Sequence, residues 1–161
     1  MLKIIIIIPS VIAIVIILFI LTEGITIFPV KIIQTTENGQ HTGIVTAVET
    51  NECDENYQPL QDNLEELKKM RLLNGKQLTT IELPMPVAQY WEGRRLPASY
   101  ANFYISNAAV IVPTFRCIQD EVALDILSQV FADRKVIGID SVDIVWGLGS
   151  FHCLSQQEPL V

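Results

Sequence analysis

A cysteine follows a histidine near the C-terminus, in the stretch WGLGSFHCLSQQEP that runs from Trp146 to Pro159. An ionised cysteine thiol is a strong nucleophile, and its ionisation needs nearby positive charge or backbone N–H donors. The local pattern leaves Cys153 two interpretations, a catalytic nucleophile or a half-buried thiol at the end of a strand. Its neighbour His152 is expected to face away from any substrate of Cys153, because neighbours in an extended segment point to opposite faces.

The other side chains that could carry chemistry are few. Cys53 and Cys117 are interpreted as ordinary thiols, because a reactive thiol needs a special environment. The chain has three cysteines at wide and unequal spacing and two isolated histidines. This composition predicts neither a disulfide framework nor a metal site, and no cofactor is expected. Free thiols are typical of a reducing compartment.

The charge balance excludes one class of partner. The 161 residues include 11 Lys and Arg against 18 Asp and Glu, so the formal net charge is -7. Binding to nucleic acid needs clustered positive charge against the phosphates. No nucleic-acid partner is therefore predicted, and the length suits one domain.

The first 22 residues are predicted to form a membrane anchor. The segment from Ile4 to Thr22 holds no charged residue and is long enough to cross the hydrocarbon core as a helix. No A-x-A-like cleavage site follows it, which favours an uncleaved, single-pass anchor over a signal peptide. The alternative is that this isoleucine-rich run is not native coding sequence, and the protein is then cytoplasmic. Residues 23–42 are interpreted as a linker or an edge hairpin.

From Gly43 onward, short β-branched runs alternate with amphipathic helical patterns. GIVTAVE and LTTIELP are predicted strands on either side of a helix in LQDNLEELKKMRLL, whose leucines share one face. AAVIVPTF and RKVIGID flank a second helix in DEVALDILSQVF, which places Val122, Ile126 and Val130 on one face. YANFYISN is predicted to be a further strand that leads into this second unit. The pattern predicts an α/β domain, in the broad sense that includes α+β, with a strand–helix–strand unit that occurs twice.

Several of these stretches resemble the agmatine deiminase family, close kin of the bacterial peptidylarginine deiminases. They are EGRRLPASYANFYISNAAVIVPTF, DRKVIGID and WGLGSFHCLSQQEP, and IVTAVETNECDENYQPLQDNLEELKK and IELPMP are similar to the family's preceding segment. The resemblance implies a pentein fold, a β/α-propeller of five strand–strand–helix–strand modules around a central active site. Residues 43–161 would supply about two of the five modules, as the C-terminal part of a deiminase domain.

The resemblance also implies a reaction. Family members hydrolyse a guanidinium group to a ureido group with loss of ammonia, and agmatine gives N-carbamoylputrescine, a precursor of putrescine. Cys153 matches the family's nucleophile, which would form a covalent amidino intermediate. Gly147 and Gly149 would let the backbone of the cysteine loop come close to the substrate. Peptidyl-arginine is the alternative substrate.

Two further groups of residues are predicted to be structural rather than catalytic. Trp91, Arg94 and Arg95 lie in a loop that precedes the cysteine stretch by about fifty residues. The loop could line a pocket, but an arginine beside a cationic substrate would repel it. These arginines are therefore expected to pair with acids such as Glu92 or to bond loop carbonyls. Asn102 and Tyr104 lie on a predicted core strand and are expected to contribute packing and hydrogen bonds.

The chain departs from the family ahead of Gly43. The family's catalytic histidine lies in a Gly-His-x-Asp type motif, but TTENGQHTG stands in that place here. His41 has no carboxylate two residues after it, so the role is not carried over to it. The modules with the substrate-gripping carboxylates have no counterpart either.

These departures leave three hypotheses. The chain is a deiminase fragment that is inactive alone, or a membrane-tethered module that pairs with a missing N-terminal deiminase half, or a gene remnant. Agmatine or peptidyl-arginine would be the ligand in the first case.

Overall fold

The computed structural model describes residues 20–22, 25–27, 30–34, 42–71, 75 and 77–156. These residues form a mixed α/β structure with small sheets, which confirms the predicted α/β class. In the first half of the described chain the elements are, in order, β1 (Ile20–Thr22), β2 (Ile25–Ile27), β3 (Val30–Gln34), β4 (Thr42–Val48), helix α1 (Tyr57–Lys69) and β5 (Thr79–Pro84).

The predicted membrane span is not found. None of the helices among the described residues has the length and apolarity that a bilayer crossing requires. The end of the predicted span is strand β1, which pairs antiparallel with β2, because β-branched isoleucines are as compatible with a strand as with a helix. The prediction of a single-pass membrane protein is therefore wrong. The remainder of the predicted anchor, residues 4–19, lies outside the described residues.

The first three-stranded sheet is built around β4. β3 runs antiparallel to β4, and β4 runs parallel to β5. Parallel neighbours need a long crossover connection, and α1 provides it. α1 buries Leu60, Leu64 and Leu67, as the leucine spacing predicts. Leu72, the last leucine of that pattern, lies outside the described residues.

A second sheet repeats the strand senses of the first. The elements that follow β5 are β6 (Tyr90–Trp91), β7 (Arg94–Arg95), β8 (Tyr104–Ile105), β9 (Ala109–Thr114), helix α2 (Gln119–Val130), β10 (Lys135–Asp140) and helix α3 (Phe151–Leu154). β6 and β7 form a separate hairpin. β8 runs antiparallel to β9, β9 runs parallel to β10, and α2 forms the crossover. The order strand, strand, helix, strand thus occurs twice in the described chain.

The buried face of α2 agrees only in part with the predicted one. Ala123 and Leu127 are fully buried, whereas Val122 is 48% exposed. α2 packs closely on β10. A Cβ placed on Gly138 of β10 would stand only 3.0 Å from a methyl carbon of Leu124 on α2. Ile126 and Val130, the other two residues of the predicted face, are partly buried and pack against the core.

One hydrophobic core joins the two units. Val45 and Leu83 of the first sheet lie in the same buried cluster as Val110, Val112 and Leu127 of the second unit. Apolar burial contributes about 25 cal/mol for each Å² removed from water. The two units therefore stabilise each other through a shared core.

Candidate active site

Cys153 lies on α3, a single helical turn, and its side chain is exposed. This corrects the interpretation of the segment as extended. Successive residues on a helix are about 100° apart rather than on opposite faces, so the argument that separated His152 from Cys153 does not apply. The side-chain oxygen of the buried Asn102 accepts hydrogen bonds from N–H groups of this turn and thereby stabilises it.

The side-chain amide of Asn102 makes three hydrogen bonds to the cysteine turn. Its oxygen accepts from the backbone N–H of His152 at 3.0 Å and from that of Cys153 at 3.2 Å. Its nitrogen donates to Cys153 Sγ at 3.1 Å. Asn102 is 1% exposed, so these bonds satisfy a polar group that burial would otherwise penalise.

Asn102 is held in turn by two buried serines. It ends a 3-10 helix, Tyr100–Asn102, which the side chain of Ser99 caps by accepting from the N–H of Ala101 at 3.2 Å. Ser150 donates from its hydroxyl to the carbonyl oxygen of Asn102 at 3.4 Å. The predicted strand in YANFYISN is therefore replaced by a capped turn at its start, because the serine satisfies the turn's backbone donors.

Sequence reasoning expected hydrogen bonds from Asn102 but not their partners. The sequence indicates these bonds only through the position of Asn102, an amide within a run of aromatic and apolar residues. If such a run lies in the core, the amide must find buried hydrogen-bond partners. The partner could not be found this way, since it lies 51 residues farther along the chain.

The two glycines of the cysteine loop differ in their surroundings. A Cβ placed on Gly149 would stand 2.6 Å from Cys153 Cβ and 2.7 Å from Cys153 Sγ, whereas one on Gly147 would meet nothing within 4 Å. Between them, Leu148 has a left-handed backbone with φ of 63°, which is uncommon for a branched side chain. The loop backbone at Gly149 thus packs directly on the thiol.

A cavity of about 1210 Å³ opens beside this loop. Its lining combines aromatic rings, carboxylates and arginines, namely Cys53, Asp54, Glu55, Tyr90, Trp91, Glu92, Gly93, Arg94, Arg95, Leu96, Trp146 and Leu148. Cys153 is not part of this lining. The cavity borders the cysteine loop at Trp146 and Leu148, and the stacked rings of Trp91 and Trp146 form part of its wall.

Arg95 has a structural environment, with partners other than the expected Glu92. Its guanidinium donates to Asp54 at 2.8 Å and to Glu55 at 3.1 Å, and its side chain is 5% exposed. Burial opposes the charge of Arg95, but the hydrogen bonds to both acids outweigh it and raise the pKa of the guanidinium. Burial likewise opposes ionisation of Asp54, yet the Arg95 hydrogen bond keeps the pKa of that carboxyl below its usual value. Glu92 lies at the exposed hairpin turn and has no part in this cluster.

Tyr100 and Cys117 belong to a second buried network at the start of α2. The hydroxyl of Tyr100 donates to Asp120 Oδ1 at 2.6 Å and lies 3.3 Å from the sulfur of Cys117. Asp120 also accepts from the N–H groups of Phe115 and Cys117. Burial, followed by the Asp120 hydrogen bond, raises the pKa of the Tyr100 hydroxyl. The phenol therefore stays neutral, and its hydrogen bond to Asp120 stabilises the start of α2.

His41 lies outside the described residues. Within the described ranges, no group of three or more His, Cys, Asp or Glu side chains is arranged to hold a metal ion.

Comparison with known sequences identifies related proteins. The chain matches the family described as Porphyromonas-type peptidyl-arginine deiminase over residues 32–159. A protein of Legionella pneumophila (strain Paris), assigned as an agmatine deiminase, is 36% identical over 107 residues. The alignment covers 66% of this chain and 31% of that protein.

Solved structures agree with these relatives. A structure assigned as an arginine deiminase from Porphyromonas gingivalis has a TM-score of 0.70 and 43% identity, covering 73% of this chain and 34% of that one. C. jejuni agmatine deiminase has a TM-score of 0.62 and 40% identity, covering 69% and 33%. The chain thus spans about a third of the length of these relatives.

Proposed function

Because the chain belongs to the Porphyromonas-type peptidyl-arginine deiminase family, we propose that it carries the nucleophile, Cys153, of a guanidinium-hydrolysing site. The observation that carries the proposal is the three-bond contact between the Asn102 amide and the cysteine turn. A hydrogen bond donated to the sulfur fixes the direction of the Cys153 side chain.

The reaction has two covalent steps. The sulfur of Cys153 attacks the guanidinium carbon, and the thiol proton passes to one amino group. That group leaves as ammonia, and a cationic amidino group stays bound to the sulfur. Water then adds to the same carbon, and the carbon–sulfur bond breaks to release a ureido product and the thiol. Gly149 gives the sulfur room for both steps, because any larger side chain there would occupy the space of the thiol.

We assign the proton transfers and the binding of the substrate's guanidinium group to modules of the relatives that this chain does not span. A histidine suits the proton transfers, and carboxylates suit a bidentate hold on a guanidinium. The proposal is supported by the length comparison, since the chain spans about a third of its relatives. The two strand–strand–helix–strand units would be two modules of a five-module pentein propeller, and the other modules would come from a separate deiminase segment. We expect the chain alone to be inactive.

Agmatine is the proposed substrate, with N-carbamoylputrescine and ammonia as products. The proposal is supported by the relatives assigned as agmatine deiminases, among them the Legionella pneumophila protein. Peptidyl-arginine is the second candidate, since the matching family is described by that substrate.

The test is complementation. The chain is co-expressed with the preceding modules of a related agmatine deiminase, and ammonia and ureido product are measured with agmatine and with an arginine peptide. Ureido product that disappears with Cys153→Ala supports the proposal. Association of the two parts without any turnover would refute the nucleophile and favour a non-catalytic module or a gene remnant.

A further inference from the structure

The chain contains two tryptophans, and they stack on each other beside the cysteine loop. The ring centroids of Trp91 and Trp146 lie 3.7 Å apart, and the ring planes are inclined by 33°. Both residues are nonetheless about half exposed, at 45% and 48%. The contact links the β6–β7 hairpin to the segment that leads to Cys153.

The hairpin side of this contact is anchored on its own. The turn between β6 and β7 has left-handed residues at Glu92 (φ 47°) and Gly93 (φ 77°), which matches a tight two-residue hairpin. At the hairpin's base, the buried Arg95 donates to Asp54 at 2.8 Å. Trp91 is therefore presented from a fixed position.

The loop side is held by local backbone hydrogen bonds, which the N–H groups of Gly147 and Leu148 donate at 3.0 Å. Trp146 lies in the 3-10 helix Val145–Gly147, in which Val145 is 1% exposed and serves as the inner anchor. Leu148 follows with a left-handed backbone and is 65% exposed. A bulky residue keeps that backbone conformation only when its surroundings impose it. The next residue is Gly149, which packs on the sulfur of Cys153.

We propose that Trp91 is a positioning residue for Cys153, and this inference rests on the proposed role of Cys153 as nucleophile. By stacking on Trp146, the ring of Trp91 holds the loop in the conformation that presses Gly149 against the thiol and keeps the sulfur on the Asn102 amide. Without the stack, Leu148 relaxes from its left-handed backbone and the sulfur moves off its hydrogen-bond donor. The thiol then becomes less nucleophilic.

The test measures the alkylation rate of Cys153 by iodoacetamide in the full chain, with site-resolved mass spectrometry so that Cys53 and Cys117 need no replacement. Trp91→Ala is expected to slow alkylation about three- to tenfold, the range that loss of an aromatic pair implies. Trp91→Phe retains a stacking ring and is expected to restore the rate to within about twofold. The matched control is Tyr90→Ala, at a neighbouring residue that is 60% exposed, and its rate should equal that of the parent.

Circular dichroism supplies a signature that a general loss of stability would not imitate. Two closely stacked indoles give a coupled far-ultraviolet band, and these two are all the tryptophans of the chain. Trp91→Ala and Trp91→Phe should both lose the band, while Tyr90→Ala should keep it. Loss of the band in Trp91→Ala without any change in alkylation would overturn the proposal, and so would a slowed rate that Trp91→Phe does not rescue.

The alkylation assay uses no substrate. Absence of deiminase activity after complementation would therefore refute the nucleophile while leaving the measured coupling between Trp91 and the thiol intact.

Discussion

The side-chain nitrogen of Asn102 donates a hydrogen bond to the sulfur of Cys153, 51 residues away along the chain. The same amide accepts two backbone N–H groups of the cysteine turn. One buried residue thus fixes the helical turn and the direction of the sulfur together.

Asn102→Asp separates these two functions. The carboxylate still accepts from the N–H groups of His152 and Cys153, but it cannot donate to the sulfur and it repels a thiolate. We expect the alkylation rate of Cys153 to fall about tenfold or more, since a hydrogen bond to a charged group contributes about 1.5–3 kcal/mol. Iodoacetamide kinetics measure this, with the exposed Asn107→Asp as control. Equal rates in the parent and Asn102→Asp would show that the Nδ2 contact does not activate the thiol.

Gly149→Ala is expected to disturb the thiol, because the new methyl group would stand 2.6 Å from Cys153 Cβ. The free energy of unfolding should fall by about 1–3 kcal/mol, as for other overpacked sites. Urea unfolding measures the loss. Gly147→Ala is the matched control, since that position has open space, and its effect should stay within about 0.5 kcal/mol. A harmless Gly149→Ala would mean that the loop accommodates a side chain there.

The Asp54–Arg95 pair should make stability depend on acid pH. The folded-state pKa of Asp54 lies below its usual value of 3.8, so its stabilising contribution is present above that value and is lost as the pH falls through the folded pKa. Asp54→Asn should therefore cost about 1–3 kcal/mol at pH 6, and the difference from the parent should vanish toward pH 2. Unfolding at several pH values tests this. The exposed Asp125→Asn should show no comparable pH-dependent gap.

Tyr100 should make the stability of the fold depend on pH in the alkaline range. Its raised pKa means that its contribution is present below the unfolded value of 10.0 and is lost as the pH rises beyond that value. Tyr100→Phe should cost about 1 kcal/mol near neutral pH, because Asp120 loses a hydrogen bond. Above pH 10 the free energy of unfolding should fall more steeply with pH for the parent than for Tyr100→Phe. Chemical denaturation at each pH measures this. The exposed Tyr90→Phe serves as control, and parallel curves for Tyr100→Phe and parent would contradict the buried phenol.

Local patterns predicted the strands and helices well, because hydrophobic periodicity is a property of neighbouring residues. The leucine face of α1 and the strands β4, β5, β9 and β10 follow from it directly. The partners of Asn102 and Arg95 could not be predicted in this way, since they lie 51 and about 40 residues away. α3 was mistaken for an extended segment because a single turn has too few residues to show a helical period.

The shared core bears on how the protein folds during translation. Val45 and Leu83 are buried against Val110, Val112 and Leu127, so the earlier half cannot complete its packing while the later half is still being synthesised. The earlier half has two small buried clusters of its own, but its Val45 and Leu83 need the later half to be covered. We therefore expect the earlier half to complete its folding only after β9 and α2 have been synthesised.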